Sequence, residues 1–244
     1  MSYVNSEWLS RTHLLFGEKR LQKLVNSSVI VVGLGGVGGC VAEMLCRAGI
    51  GKLTIVDGDV VSESNRNRQL PALSSTLGKS KAEVMADRLR DINPEVQLCV
   101  IDEFIRDERM IEILKQEKYD YVVDAIDTLS PKVFLIYHSF NLGLPIVSSM
   151  GAGGKLDPTL ITVSDISKSY NDKLARAVRK KLNQLGVRKG VKVVFSPELV
   201  SSDAVILEES TNKKSNVGTV SYMPPAFGLS CASVVIRDIT SKQN

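Results

Sequence analysis

Five glycines fall within the seven residues Gly33-Leu34-Gly35-Gly36-Val37-Gly38-Gly39. The spacing of Gly33, Gly35 and Gly38 is G-x-G-x-x-G. Such a run lets the backbone turn tightly and come close to a phosphate, which then rests at the positive end of the helix that follows. Gly36 adds to the same turn. Asp57 stands nineteen residues beyond Gly38, with Asp59 two further on. A carboxylate in that place can accept both hydroxyls of a ribose. Up to this point the residues serve a nicotinamide dinucleotide and ATP equally well.

The next charged residues separate the two. Asn65-Arg66-Asn67-Arg68-Gln69 and Gly78-Lys79-Ser80-Lys81 bring several cations to the nucleotide end. Two phosphates held by a glycine turn do not need them. A triphosphate carries more charge, and departing pyrophosphate needs fixed cations to take up the charge that develops. Val123-Asp124-Ala125-Ile126-Asp127 then supplies two carboxylates at the end of an apolar run, suited to a magnesium ion that bridges phosphates. Taken singly, each Arg or Lys could be a surface ion pair, and Asp127 could cap a helix. Their convergence favours ATP with magnesium.

These groups need a scaffold that gathers them at one edge. Residues 28–32, 52–56, 96–101, 119–124 and 145–149 read as strands, and 37–48, 79–92, 106–118 and 132–142 as helices. The alternation predicts an α/β, Rossmann-like, mostly parallel sheet flanked by helices. Residues 6–25 read as short helices outside the sheet. Beyond Gly154 the rhythm changes: 160–163 and 191–195 read as strands that add antiparallel pairing, 201–218 as a mobile loop, and 224–239 as a last apolar helix. The whole is expected to be one domain over 1–244, with N-terminal helices at 6–25, a Rossmann-like nucleotide-binding core at 26–166, and the basic segment, mobile loop and final helix at 167–244.

A chain of 244 residues with 43% hydrophobic residues can bury a large core without disulfides or structural metal. It has no apolar run long enough to span a bilayer and no signal-like N-terminus, so a cytoplasmic location and no membrane partner are expected. Cys40, Cys46, Cys99 and Cys231 form no C-x-x-C pair and read as reduced, packed thiols. Residues 168–192 hold nine Lys or Arg against one acid, Asp172, while the rest of the chain is net acidic. That stretch is either a solvated charged face or a nucleic-acid footprint. Lys173, Arg176, Arg179, Lys180, Lys181, Arg188 and Lys189 are the candidate contacts.

GLGGVGG, VDGDVV, NRNRQ, GKSK and DAIDT together resemble, in order and spacing, the adenylating superfamily of ubiquitin-activating enzymes. That resemblance implies that Asp57 holds the ribose, Asn65 and Arg68 contact phosphates, and Lys81 rather than Lys79 is the phosphate lysine. It makes Asp127 rather than Asp124 the magnesium ligand, and gives Arg11, in Ser10-Arg11-Thr12, the role of an arginine reaching in from the partner of a homodimer. Residues 156–226 contain no cysteine, which disfavours a thioester relay. GAGGKLDPT at 151–159, VSDI at 163–166 and VFSPE at 194–198 are similar to the tRNA threonylcarbamoyladenosine dehydratases, nearly end to end. By that resemblance, ATP and magnesium activate the threonine carboxylate of a modified adenosine beside the anticodon, and a neighbouring group closes the ring with loss of AMP. Arg11, Arg68, Lys81 and Asp127 would be its catalytic residues, and tRNA its partner. A sulfur-transfer protein enters as a further partner by the same resemblance, although 216–228 has no cysteine for it. The alternatives are an adenylating enzyme acting on the C-terminus of a small ubiquitin-like carrier protein, and a nucleotide-binding scaffold without chemistry.

Overall fold

The computed structural model describes residues 6–206 and 216–241. A 3-10 turn at Glu7–Leu9 leads into α1 (Ser10–Asn26), which is broken at Gly17, where φ is +71°. Then follow β1 (Ser28–Val32), α2 (Gly38–Arg47), β2 (Lys52–Val56), α3 (Lys81–Ile92), β3 (Gln97–Ile101), α4 (Asp107–Gln116), β4 (Tyr121–Asp124), α5 (Leu129–Asn141) and β5 (Ile146–Ser149). The C-terminal part contributes β6 (Thr162–Asp165), α6 (Lys173–Gln184), β7 (Lys192–Phe195), the short β8 (Val205–Ile206) and β9 (Asn216–Val217), and α7 (Met223–Ser241).

Seven strands form one sheet in the order β3-β2-β1-β4-β5-β7-β6. Every neighbouring pair is parallel except β6 with β7. The α/β expectation therefore holds, and so does antiparallel pairing near the C-terminus. β1 shows why the sheet is covered on both sides. All five of its residues are buried: Val29 and Val31 belong to one apolar cluster and Ile30 and Val32 to the other. A strand with period-two side chains and both faces apolar needs helices above and below. α1, α2, α3 and α7 supply the first cluster, and α4, α5 and α6 the second.

Residues beyond 167 are built into this core. β7 lies between β5 and β6, parallel to β5, and α7 packs along α2. The helices approach so closely that a Cβ on Gly228 would stand 2.6 Å from the carbonyl oxygen of Val37.

Many element boundaries differ from the sequence reading by one to three residues, and three departures bear on how the C-terminal part and the β4–α5 loop are built. The strand expected at 160–163 begins at Thr162, because Asp157 caps a 3-10 turn at Pro158–Leu160. α5 starts three residues before the expected 132, because Pro131 sits in the first turn, where a missing N–H breaks no helical bond. In the stretch expected to be a loop at 201–218, a 3-10 turn forms at Ser202–Ala204 and the strands β8 and β9 pair antiparallel. Its middle, 207–215, lies outside the described residues.

Candidate active site

The glycine turn joins β1 to α2 and is held from three sides. The Gly33 N–H donates to Val56 O at 2.8 Å, and Gly33 has a φ of +91°. A Cβ there would meet Ala125 O at 2.8 Å. At Gly38, the first residue of α2, a Cβ would come within 1.7 Å of Gly33 O. Gly36 faces Pro224 and the carbonyl of Arg68, and Gly35 faces the end of Gln69. The turn thus touches the β4–α5 loop through Ala125, the 65–69 segment through Arg68, and the start of α7 through Pro224.

Asp57, just past β2, ties the turn down. Its Oδ2 accepts the Leu34 N–H at 2.6 Å and its Oδ1 accepts the Asp59 N–H at 2.8 Å. A carboxylate has about four acceptor positions, so lone pairs remain for ribose hydroxyls. Burial raises the Asp57 carboxyl above its usual range, opposed by these two N–H donors and by the charge of Lys81. Lys81 is the first residue of α3, behind the N-cap Ser80, and is 5% exposed. Its Nζ donates to Asp59 Oδ2 at 3.0 Å, and its backbone N–H donates to Asp59 O. Lys79, two residues earlier, is exposed.

Asn65 is buried, and its Oδ1 accepts the N–H of Ser62, so it shapes the 3-10 turn at Glu63–Asn65. Arg68 Nη1 donates to Ser64 O at 2.9 Å and to Asn67 Oδ1 at 2.6 Å. Asn67 Nδ2 in turn donates to Thr219 O at 2.9 Å, linking this segment to the approach to α7. Asp127 is exposed in the β4–α5 loop, and Thr128 rather than Asp127 is the N-cap of α5.

Asp124, which the resemblance set aside in favour of Asp127, is fully buried and paired with Lys132 Nζ at 2.7 Å, with Ser148 Oγ and the Ile126 N–H as further donors. One candidate of the sequence reading is corrected. Arg179 is no free contact for RNA, because its guanidinium turns back onto Ser169 O at 2.7 Å, Ser169 Oγ at 2.6 Å and Ile166 O at 3.3 Å. Lys173, Arg176, Lys180, Lys181, Arg188 and Lys189 are exposed. Lys173, Arg176 and Lys180 share one stripe of α6, opposite the buried Ala175, Val178 and Leu182.

Arg11 does not join the site within its own chain. Its neighbour Leu9 packs against Gly49, just past the C-terminal end of α2. The glycine turn lies at the other end of that ten-residue helix, about 15 Å away.

Lys132 and Lys155 are features that reading by motif missed. Lys155 Nζ donates to Ser196 O at 2.6 Å and to Glu198 O at 3.1 Å, while the Glu198 carboxylate accepts the N–H groups of Leu156 and Asp157. The GAGGKLDPT and VFSPE stretches therefore interlock. The burial of Lys155 has no local sequence mark, since it depends on partners 41 and 43 residues away.

Three of the four cysteines are buried. Burial pushes the thiols of Cys46 and Cys231 up to about 12 and that of Cys40 up to about 11. A raised thiol pKa leaves almost no thiolate at neutral pH. Iodoacetamide at pH 8 is expected to label Cys99, the one cysteine not fully buried, and to reach the other three only after denaturation. Labelling of Cys231 in the folded protein at a rate like that of Cys99 would contradict this.

A glycine turn with Asp57, Lys81 and Arg68 gathered about it, and an exposed Asp127, at one end of a mostly parallel sheet define an α/β protein of the class that includes the adenylating enzymes. The chain belongs to the ThiF family, whose family description matches residues 9–244. It is 38% identical to the tRNA threonylcarbamoyladenosine dehydratase of Bacillus subtilis, with 94% of this chain and 93% of that one covered. It is also 38% identical to the Escherichia coli dehydratase, with 99% and 98% covered. A crystal structure of the E. coli tRNA N6-threonylcarbamoyladenosine dehydratase in complex with ATP superposes with a TM-score of 0.89 at 36% identity, covering 98% of this chain and 96% of that one.

Proposed function

We propose that this chain is an ATP-dependent tRNA threonylcarbamoyladenosine dehydratase. One observation carries the reading: Asp57, Lys81 with Asp59, Arg68 and the Asp127 loop are arranged around a single glycine turn, in a chain similar to those dehydratases from end to end. Asp57 would hold the ribose of ATP, the glycine turn the phosphate nearest it, and Arg68 and Lys81 the phosphates beyond. A carboxylate oxygen of the threonine attacks the α-phosphorus, forming an acyl-adenylate and releasing pyrophosphate. A neighbouring nucleophile of the same modification then attacks the acyl carbon, and AMP leaves with that oxygen. The net change in the nucleoside is loss of water. The work left to the protein is positioning and charge stabilisation. These steps require no thiol of the enzyme.

Magnesium bound at Asp127 would supply neutralisation of phosphate charge. The described residues hold no group of three or more His, Cys, Asp or Glu able to bind a metal. Phosphate oxygens and water would therefore complete the shell, as magnesium at nucleotide sites commonly has it. A homodimer accounts for Arg11. It also accounts for α1, where Leu14 and Leu15 are 83% and 75% exposed, since a partner would cover both and receive Arg11 at its triphosphate. Among the described residues no helix is long and apolar enough to cross a membrane, and we place the enzyme in the cytoplasm with its tRNA.

The exposed stripe of α6 would lie on the tRNA backbone. Release of pyrophosphate from ATP should depend on tRNA that carries the modification, and tRNA affinity should fall steeply with salt. Replacing Lys173, Arg176 and Lys180 together with alanine should flatten the log–log salt slope by about 2–3 units, at roughly 0.7–0.9 per phosphate lost. ATP affinity should stay within about twofold, since the stripe is far too extended to serve one nucleotide. An unchanged slope would reduce the stripe to a solvated face. Pyrophosphate release driven by a carrier protein's C-terminus instead of tRNA would overturn the whole assignment.

A further inference from the structure

We propose that Lys132 and Asp124 form a positioning pair for the reaction, setting the loop that carries Asp127 without touching nucleotide or substrate. The proposal rests on Asp127 being the magnesium carboxylate. Lys132 is 0% exposed, as is Asp124. Its Nζ spends its three donors on Asp124 Oδ2 at 2.7 Å, Ser148 Oγ at 3.3 Å and Ser149 O at 2.8 Å. Ser148 also donates to Asp124 Oδ2, and Asp124 Oδ1 accepts the Ile126 N–H at 3.0 Å. The ammonium thus joins the last residue of β4, the end of β5 and the first turn of α5.

The loop 125–128 runs between two members of this network: Asp124 at its start and Lys132 just inside the helix at its end. One Asp124 oxygen is bonded to Lys132, and the other fixes the backbone at Ile126, one residue before Asp127. On the other side, the Ala125 N–H donates to Val32 O at 2.9 Å, and Ala125 O lies against Gly33. Rotation of the Asp124 carboxylate would therefore shift Asp127 relative to the phosphate-binding turn. A buried pair is costly to maintain, and apolar residues of similar volume would serve stability alone as well or better. Placement of the loop gives the charges a reason to be there.

A double-mutant cycle tests this, using Lys132→Met, Asp127→Asn and the double variant in the full chain, with Lys132→Arg and Ser148→Ala alongside. Lys132→Met should raise the magnesium concentration for half-maximal pyrophosphate release by roughly tenfold, within the range of coupling for residues in one network. Without metal, ATP affinity should change by less than about twofold. In the Asp127→Asn background, Lys132→Met should add less than about twofold, because the residue it acts through is already gone. In the metal-free protein, the Ile126 amide should lose its protection from hydrogen exchange, and Lys132→Arg should restore part of both effects. Where Lys132→Met lowers the folded fraction, Ser148→Ala removes one partner at smaller cost and should move magnesium dependence in the same direction. Losses that multiply in the double variant, or normal magnesium dependence in both Lys132→Met and Ser148→Ala, would overturn the positioning role. An Asp127→Asn protein with unaltered magnesium dependence would instead remove the premise, and the proposal with it.

Discussion

Replacing Gly38 with alanine is expected to abolish ATP binding and to destabilise the fold at once. The added Cβ would stand 1.7 Å from Gly33 O, well inside any tolerated contact. Gly33 cannot yield, because its N–H is bonded to Val56 O and its α-carbon faces Ala125 O across the turn. Nor can α2 slide away, since Gly228 of α7 already abuts Val37 and Cys40. The cost should exceed about 4 kcal/mol, at the exceptional end for one substitution, with the melting temperature falling accordingly. Gly35→Ala makes the contrast. Its Cβ would meet only the end of the Gln69 side chain, at 3.6 Å. Gly35→Ala should melt near the parent temperature, and any loss of ATP binding in it reports on the approach of phosphate to the backbone. Calorimetry with ATP and thermal melts on both variants decide the matter. A Gly38→Ala protein that binds ATP as the parent does would show that the turn opens more easily than its contacts imply.

Lys81→Met is expected to lower the rate of pyrophosphate release by about 10²–10³, the range seen when one preorganised donor to developing charge is removed. Methionine roughly matches the length of the lysine stem, so the buried position at the start of α3 stays filled. The lost partner, Asp59, keeps most of its access to water, so stability should change little. ATP should still bind, more weakly, because the glycine turn and Asp57 remain. The signature is therefore a fall in kcat larger than the rise in KM for ATP, measured by tRNA-dependent pyrophosphate release. Lys79→Met, at an exposed residue two positions away, should fall less than threefold. Equal losses in the two variants would mean that general positive charge, rather than a placed ammonium, is what the site uses.

Much of this protein can be read locally. The five-glycine turn, the apolar runs of β1 and β4, and the alternation of strand and helix are properties of neighbouring residues, and each appears where its period or turn chemistry placed it. The types of group needed for adenylation were legible for the same reason, because carboxylates and cations cluster within a few residues of strand ends. Residue type and spacing do not decide which members of a cluster face solvent, and it was the family resemblance, not the residues' chemistry, that preferred Asp127 to Asp124. Asp124 and Asp127 are three residues apart, yet one is sealed against Lys132 and the other is exposed. Arg179 and Lys180 are adjacent, yet only the arginine curls back onto the carbonyls of Ile166 and Ser169.

By itself, the sequence determined the class of sheet, the position of the nucleotide turn and the chemical kinds of residue around it, because backbone propensity, side-chain period and glycine's conformational freedom act over a few residues. Tertiary structure alone decided the partnerships: Lys155 with Ser196 and Glu198, Asn67 with Thr219, Lys132 with Asp124 and Ser148, and Arg11 left at the far end of α2. Each joins segments that the order of strands and the packing of helices bring together. A charge is buried only when those distant partners close around it, and no short stretch of chain carries that information.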